Sequence, residues 1–434
     1  MERTYIDTLA QLIARSPTCY HAAATAAELL AAAGYAPLDE GRRWQLRPGG
    51  KYYMTRGGSA LIAFRVPEHA PASFRLAAAH GDSPCFKLKE NAALRDGGYL
   101  RLNTEVYGGL RMSSWFDRPL SVAGRLFTEE DGVLRQTLVN IDRDLLVIPS
   151  VAIHFDRAAN DGVKYRANVD TLPLAGSDGA ADILTLAAES AGLRPEDVLG
   201  SDLLVYCRQP GTQLGSSGEL FMAPRLDDQA CVWGCLHGFL ESGGGAHFHV
   251  AMMANMTYAP LPVFCLLDNE EVGSATPEGA ASTLLRDVLR RIAGALGIDE
   301  EGYQMLLSRS LLVSADNAHA IHPNHSELSD KDNAPRLNGG IVLKFSAPRR
   351  YATDGGSAAA FRALCRRADV PVQTMANRSD LPGGSTLGSI AGTLVPVSAV
   401  DIGLAQLAMH AAVEVMGAED YPRLIAAMRQ FYKE

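Results

Sequence analysis

The chain has 434 residues, 47% hydrophobic and 21% charged, with a formal net charge of −9 at pH 7. That length calls for more than one core, the composition is that of a folded enzyme, and the negative balance argues against a nucleic-acid-binding surface. Seven scattered cysteines, several of them in apolar runs, read as free buried thiols in a reducing compartment.

In chain order, Met1-Glu2-Arg3-Thr4 opens without the apolar core of a signal peptide, and no later segment is long and apolar enough to span a membrane. A cytoplasmic location is therefore expected. From Tyr5 to about Gly34 apolar residues recur at helical spacing, broken at Ser16-Pro17. Lys51 to Arg65 alternates like strands around Gly57-Gly58, and Ser73 to Ala79 is a strand running into His80-Gly81-Asp82-Ser83-Pro84. After about Asn91 the character changes. Short β-like pieces near Tyr99–Tyr107, Leu120–Phe127, Val133–Asn140 and Ala152–Phe155 are separated by glycine or charged turns, as in an inserted β-rich domain. A helix is expected over Ile183–Ala191.

From Asp202 onward strands and helices alternate. Leu203–Arg208, Leu261–Leu267, Ser310–Ala315, Gly340–Phe345 and Val370–Met375 read as strands. Asp228–Leu240, Ala280–Gly297, Gly355–Ala368 and Ala405–Met416 read as helices. This alternation predicts an α/β fold with a central, mostly parallel sheet flanked by helices, which gathers ligands at the carboxyl ends of its strands. The expected division is a catalytic domain of residues 1–91 and 200–434, with 92–199 inserted.

Five segments carry candidate chemistry. The adjacent Glu270 and Glu271 end an apolar run; two buried carboxylates repel, and a cation resolves the conflict. One can then ligate while the other moves a proton. His80 closes a strand, with Asp82 two residues on as a partner for its free ring N–H. Asp227-Asp228 opens a helix, Asp316 ends a β-rich run with His319 and His322 behind it, and His410 lies in an Ala-rich stretch read as helical. Singly, each has an ordinary explanation: an Asp opening a helix is usually an N-cap, and a lone helical His is usually hydrogen-bonded core. Together, at strand ends of one sheet, mixed His and carboxylate donors without thiolate suit a catalytic pair of zinc, cobalt or manganese ions.

The segments His80-Gly81-Asp82-Ser83-Pro84, Arg225-Leu226-Asp227, Asp268 to Ser274, Ser314-Ala315-Asp316, His322-Pro323-Asn324 and Met409-His410 resemble the aspartyl aminopeptidase family of dinuclear zinc exopeptidases. Arg350-Tyr351-Ala352-Thr353 and Ser379 to Thr386 resemble family segments too, and the likeness runs from the first helix nearly to the C-terminus. It implies one metal held by His80, Asp227 and Asp316 and another by Asp227, Glu271 and His410, with Asp227 bridging. It implies Glu270 as general base toward the attacking water, Asp82 as the group orienting His80, and Tyr351, within the matching Arg-Tyr-Ala-Thr run, as a substrate-binding residue. It further implies that the inserted domain drives dimerisation, that dimers build a tetrahedral dodecamer acting on peptides, and that His154 reaches a neighbouring subunit's site.

Three departures stand out. Asp228 replaces an Asn common in relatives, Gly383 a cysteine of some members, and Ser346-Ala347-Pro348-Arg349 stands where acid-selecting members place a lysine just before Arg-Tyr-Ala-Thr. Arg349 could supply that cation by bidentate carboxylate recognition; Lys344 is the other candidate, read here as lying on a strand face. The expected activity is removal of an N-terminal residue, preferably Asp or Glu. Two other readings remain open, a related di-metal carboxypeptidase or amidohydrolase and a non-catalytic self-assembling scaffold.

Overall fold

The computed structural model describes residues 2–243, 251–253, 256–381 and 383–434. Pro382, within the Ser379–Thr386 motif, lies outside the described residues.

Three sheets organise these residues. The largest runs in the order Ala36–Pro37, Lys51–Arg56, Ala60–Arg65, Met256–Leu267, Pro71–His80, Leu311–Ala315, Ser398–Gly403, Ile341–Phe345, Val372–Ala376, with Ala251–Met253 paired to Met256–Leu267. Its centre is parallel, from Met256–Leu267 through Pro71–His80 and Leu311–Ala315 to Ser398–Gly403. Antiparallel pairs flank that centre on either side.

Period-two alternation splits each central strand between two cores. Leu61, Ala63, Ala77, Ala79, Phe264 and Leu266 face one; Ile62, Phe64, Leu76, Ala78, Val263 and Cys265 face the other. Helices Glu2–Arg15, Cys19–Ala32, Leu226–Glu241, Gly355–Arg367 and Asp420–Phe431 close the first through Ile6, Leu30, Trp233, Phe361 and Leu424. Helices Leu284–Ala295, Glu300–Ser308 and Leu387–Leu394 close the second through Leu289, Leu306 and Leu387. Burial on both faces is why these strands read as continuous apolar runs. Each such large side chain stabilises the fold by about 1.5–3 kcal/mol relative to exposure.

The second sheet is antiparallel, in the order Val133–Asn140, Leu120–Glu130, Gly200–Cys207, Cys85–Asp96, Tyr99–Tyr107, Leu174–Ser177. Phe86, Trp115, Leu120 and Val122 form its core with Ile183 and Ala187 of helix Ile183–Ser190. This sheet reaches beyond 92–199 on both sides. Leu204 pairs with Lys87, so the strand expected to open the second α/β stretch belongs here instead. Residues 152–155, expected as β-like, form a turn in which Phe155 N donates to the Ala152 carbonyl at 2.8 Å.

The third sheet, Thr212–Leu214, Leu220–Ala223, Glu414–Gly417, Ala405–Leu407, Ala318–His319, corrects the helix expected over Ala405–Met416. Gln406 pairs with Met416 and Leu407 with Val415, and the tip between them holds Ala408 and His410 in left-handed conformation, φ 56° and 65°. Alanine favours helix intrinsically, but the strand pairing and the burial of Ala405 and Met416 outweigh that preference. Among the described residues no helix is long and apolar enough to cross a membrane.

Candidate metal centre

Five chain-distant segments converge near the carboxyl end of the parallel strands, where ligands of such sheets collect. His80 is the last residue of Pro71–His80, Asp316 follows Leu311–Ala315, and Glu270-Glu271 form a short 3-10 turn three residues past Met256–Leu267. Asp227 lies in the first turn of Leu226–Glu241. His410 comes from the hairpin tip of the third sheet, not from a helix.

Donor atoms of His80, Asp227, Asp228 and Asp316 form one group able to hold a cation, and those of Asp227, Glu271 and His410 another. Asp227 is common to both. A third combination, His80 with Glu270 and Glu271, brings Glu270 alongside. His80 Nε2 stands 3.6 Å from Asp227 Oδ1, and His410 Nε2 stands 3.5 Å from Asp227 Oδ2 and 3.4 Å from Glu271 Oε2. These separations are long for hydrogen bonds. They match the spacing of roughly 3.4 Å between neighbouring donors on a tetrahedral zinc with bonds of about 2.0–2.2 Å. Three buried carboxylate oxygens, Asp227 Oδ1, Asp228 Oδ1 and Glu271 Oε1, have no hydrogen-bond partner among the described residues. Leaving such oxygens unpaired is costly, so the donor set fits divalent cations.

A shell of polar contacts fixes the donors. His80 Nδ1 lies 3.4 Å from Asp82 Oδ1 and 3.1 Å from the Asp82 carbonyl, which orients the ring. Asp82 also accepts from Glu270 N, Glu271 N (3.1 Å each) and the Tyr107 hydroxyl (2.8 Å), so one carboxylate ties three segments together. His410 Nδ1 lies 3.1 Å from the Gly109 carbonyl. A Cβ on Gly109 would meet that ring nitrogen at 3.2 Å, tight enough that the ring would have to shift by a few tenths of an ångström.

Without a cation the charges strain against one another. Burial pushes Glu270 up to about 7, with Asp316 and Asp227 adding to the rise against His80. Burial raises Glu271 well above the carboxylate range, reinforced by Asp227, and raises Asp316 against the opposing Lys344. Asp227 also feels burial, but His410 and His80 outweigh it and hold its carboxyl below the ordinary range. Burial pulls His410 down, yet Asp227 and Glu271 carry it up to about 10.

Two expected substrate contacts do not join this cluster. Arg349 is exposed and donates to the Ala352 carbonyl at 3.3 Å, and His154 is exposed in the loop after Pro149. Tyr351 is buried beside Lys344, whose ammonium lies 5.5 Å from the ring centroid and 3.4 Å from Asp316 Oδ1. Lys344, read from sequence as a strand-face residue, is thus a buried cation at the edge of the centre. His319 and His322 belong to none of the donor groups. Tyr107 and Glu414 were missed. Tyr107 has no local signal, since it arrives from the second sheet; Glu414 follows His410 by four residues, a spacing hidden by the helical reading.

Known proteins bear on this geometry. A family model described as aminopeptidase I zinc metalloprotease (M18) matches residues 12–432. A probable M18 family aminopeptidase 2 from Clostridium novyi (strain NT) is 38% identical over 438 aligned residues, covering 99% of this chain and 98% of its own. One from Pseudomonas paraeruginosa (strain DSM 24068 / PA7) is also 38% identical, covering 98% and 97%. Among solved structures, a chain of the Ape4 and Nbr1 complex superposes with a TM-score of 0.94 at 32% identity, over 100% of this chain and 86% of that one. The S. cerevisiae mApe1 dodecamer gives 0.84 at 26%, over 100% and 96%.

Proposed function

The chain belongs to the M18 family of zinc metallo-aminopeptidases, and on that premise we propose which residues perform the hydrolysis and what it acts on. His80, Asp227 and Asp316 hold one metal ion, Asp227, Glu271 and His410 the other, and Asp227 is shared. The observation that carries this reading is the pair of donor groups meeting at Asp227. When bound, a zinc pair supplies Lewis acidity, polarising the scissile carbonyl and making a water acidic enough to deprotonate near neutral pH. Glu270 takes that proton and delivers it to the departing amine; its place beside the donor groups, outside the two that share Asp227, suits a group free to shuttle protons. Asp82 holds the His80 ring and the backbone N–H groups of Glu270 and Glu271, keeping base and ligand in register.

The preferred substrates are peptides with an acidic N-terminal residue. Lys344, rather than the exposed Arg349, supplies the attracting cation, with its ammonium 5.5 Å from the centroid of the Tyr351 ring. The span 92–199 and its flanking strands act as the dimerisation domain. Val151, Ile153 and Phe155 are exposed there, Phe155 to 89%, which supports burial against another copy. Homo-oligomers, dimers assembling to a tetrahedral dodecamer, then present His154 to the neighbouring site; the dodecameric S. cerevisiae relative supports this. Seven free cysteines support a cytoplasmic setting.

Hydrolysis of Asp, Glu, Ala, Leu and Lys p-nitroanilides tests the reading, with a chelator and an N-acetylated control. Acidic residues should be released fastest, the chelator should abolish turnover, and acetylation should block it. Equal or basic selectivity would retire the acidic preference, and cleavage of only the acetylated substrate would overturn the aminopeptidase orientation.

A further inference from the structure

Glu414 opens strand Glu414–Gly417, opposite Ala223 at the end of Leu220–Ala223. It is 2% exposed, and among the described residues no salt bridge reaches it, although its charge is felt by the buried Arg225 guanidinium. Its two oxygens are nonetheless both occupied. Oε2 accepts from Asp227 N at 2.9 Å, and Oε1 accepts from His410 N at 2.7 Å. Neither N–H has another natural acceptor. Asp227 stands at the N-terminal edge of Leu226–Glu241 with non-helical dihedrals (φ −83°, ψ 110°), where an N–H lacks an intrahelical partner. His410 sits in a left-handed turn outside the ladder of its hairpin.

We infer that Glu414 is a positioning residue that holds the backbones of Asp227 and His410 in one frame, so that the two side chains meet before any metal arrives. The inference rests on the ligand reading of those two residues. A buried carboxylate without a salt-bridged lysine or arginine is expensive to keep, so two charge-assisted bonds, to N–H groups of two segments distant from each other in the chain, give it a purpose that packing does not. The geometry also requires both oxygens as acceptors. A glutamine amide accepts through one atom only, so Glu414→Gln must release one of the two segments. The shared register is what places His410 Nε2 3.5 Å from Asp227 Oδ2, and loosening either backbone widens that spacing.

The test is zinc titration of the metal-free 434-residue chain against a chromophoric chelator, for wild type, Glu414→Gln and His410→Ala, with kcat and KM measured alongside. Wild type should take up two equivalents. Glu414→Gln should bind the second about 10–100-fold more weakly, the usual cost of losing a group that orients a ligand, with kcat falling and KM little changed. His410→Ala should lose the second equivalent outright. If His410→Ala still binds two equivalents as wild type does, the ligand reading itself fails. If His410→Ala loses one while Glu414→Gln binds both normally, Glu414 alone loses its role. Should Glu414→Gln not fold cooperatively, amide exchange in the metal-free wild type decides: both the Asp227 and His410 amides should be protected, and exchange of either at open-loop rates overturns the proposal.

Discussion

Replacing Glu270 by glutamine removes one proton acceptor while keeping the side chain's shape. The main chain should not move, because Glu270 N donates to Asp82 Oδ1 at 3.1 Å whichever side chain it carries. The donor group sharing Asp227 with His410 uses Glu271 and not Glu270, so both metal ions should remain bound. What is lost is proton transfer by a carboxyl that stands beside the donor groups without belonging to either of the two that share Asp227. A positioned general base contributes about 10²–10⁴-fold, which is roughly 2.7–5.4 kcal/mol of barrier. In a steady-state assay on Asp p-nitroanilide, with zinc content measured on the same samples, kcat should fall within that range while KM and two zinc equivalents persist. A kcat within about threefold of wild type would refute the base assignment. Loss of a zinc equivalent would instead make Glu270 a ligand.

The metal-free protein should become less stable as pH rises from 5 to 8. Glu270 and Glu414 have folded-state values near 7 and 8 against ordinary values of 4.5, so the folded state binds more protons and each contribution is lost as pH climbs through the folded value. His410, raised to about 10, contributes with the same sign, fully below its ordinary value of 6.5 and fading toward 10. Asp82 and Asp227, held low, oppose this only as pH falls through the ordinary value of 3.8 and below. Melting temperatures in chelated buffer should decline across that window, and zinc should raise them more at pH 8 than at pH 5; a flat or rising profile contradicts the charge balance. Lys344→Met should lower the Asp-over-Ala ratio of kcat/KM by at least about tenfold, near 1.4 kcal/mol, whereas Arg349→Ala should leave the ratio nearly unchanged. Using the ratio cancels any shared loss of metal, and the opposite ranking would return the role to Arg349. Phe155→Asp should shift the particle to a smaller species in light scattering without unfolding it, and an unaltered mass would remove the loop from the interface.

The parts of the site at strand ends were legible because burial makes them so. His80, Glu270 and Asp316 each stand at or just beyond an apolar run covered on both faces, where a polar residue is conspicuous. His410 stands out in the sequence as a histidine in an Ala-rich stretch, but the helix expected around it is a hairpin tip. Residues 405–416 are rich in alanine, whose intrinsic preference is helical, and the pairing that overrides it involves Leu220–Ala223, about two hundred residues earlier in the chain. That error concealed Glu414. Lys344 was underrated for a similar reason: strand alternation shows which residues share a face, but not that this face meets Asp316. Strand Gly200–Cys207 carries the apolar pattern of a central strand, and only its long-range pairing with Cys85–Asp96 assigns it to the second sheet.

Crystals soaked in zinc and measured at its absorption edge address the core of the account directly. Two anomalous peaks should appear, both within bonding distance of Asp227, one also reaching His80 and Asp316 and the other Glu271 and His410, with Glu270 bound to neither. A single peak, peaks away from Asp227, or Glu270 inside a coordination shell would contradict it.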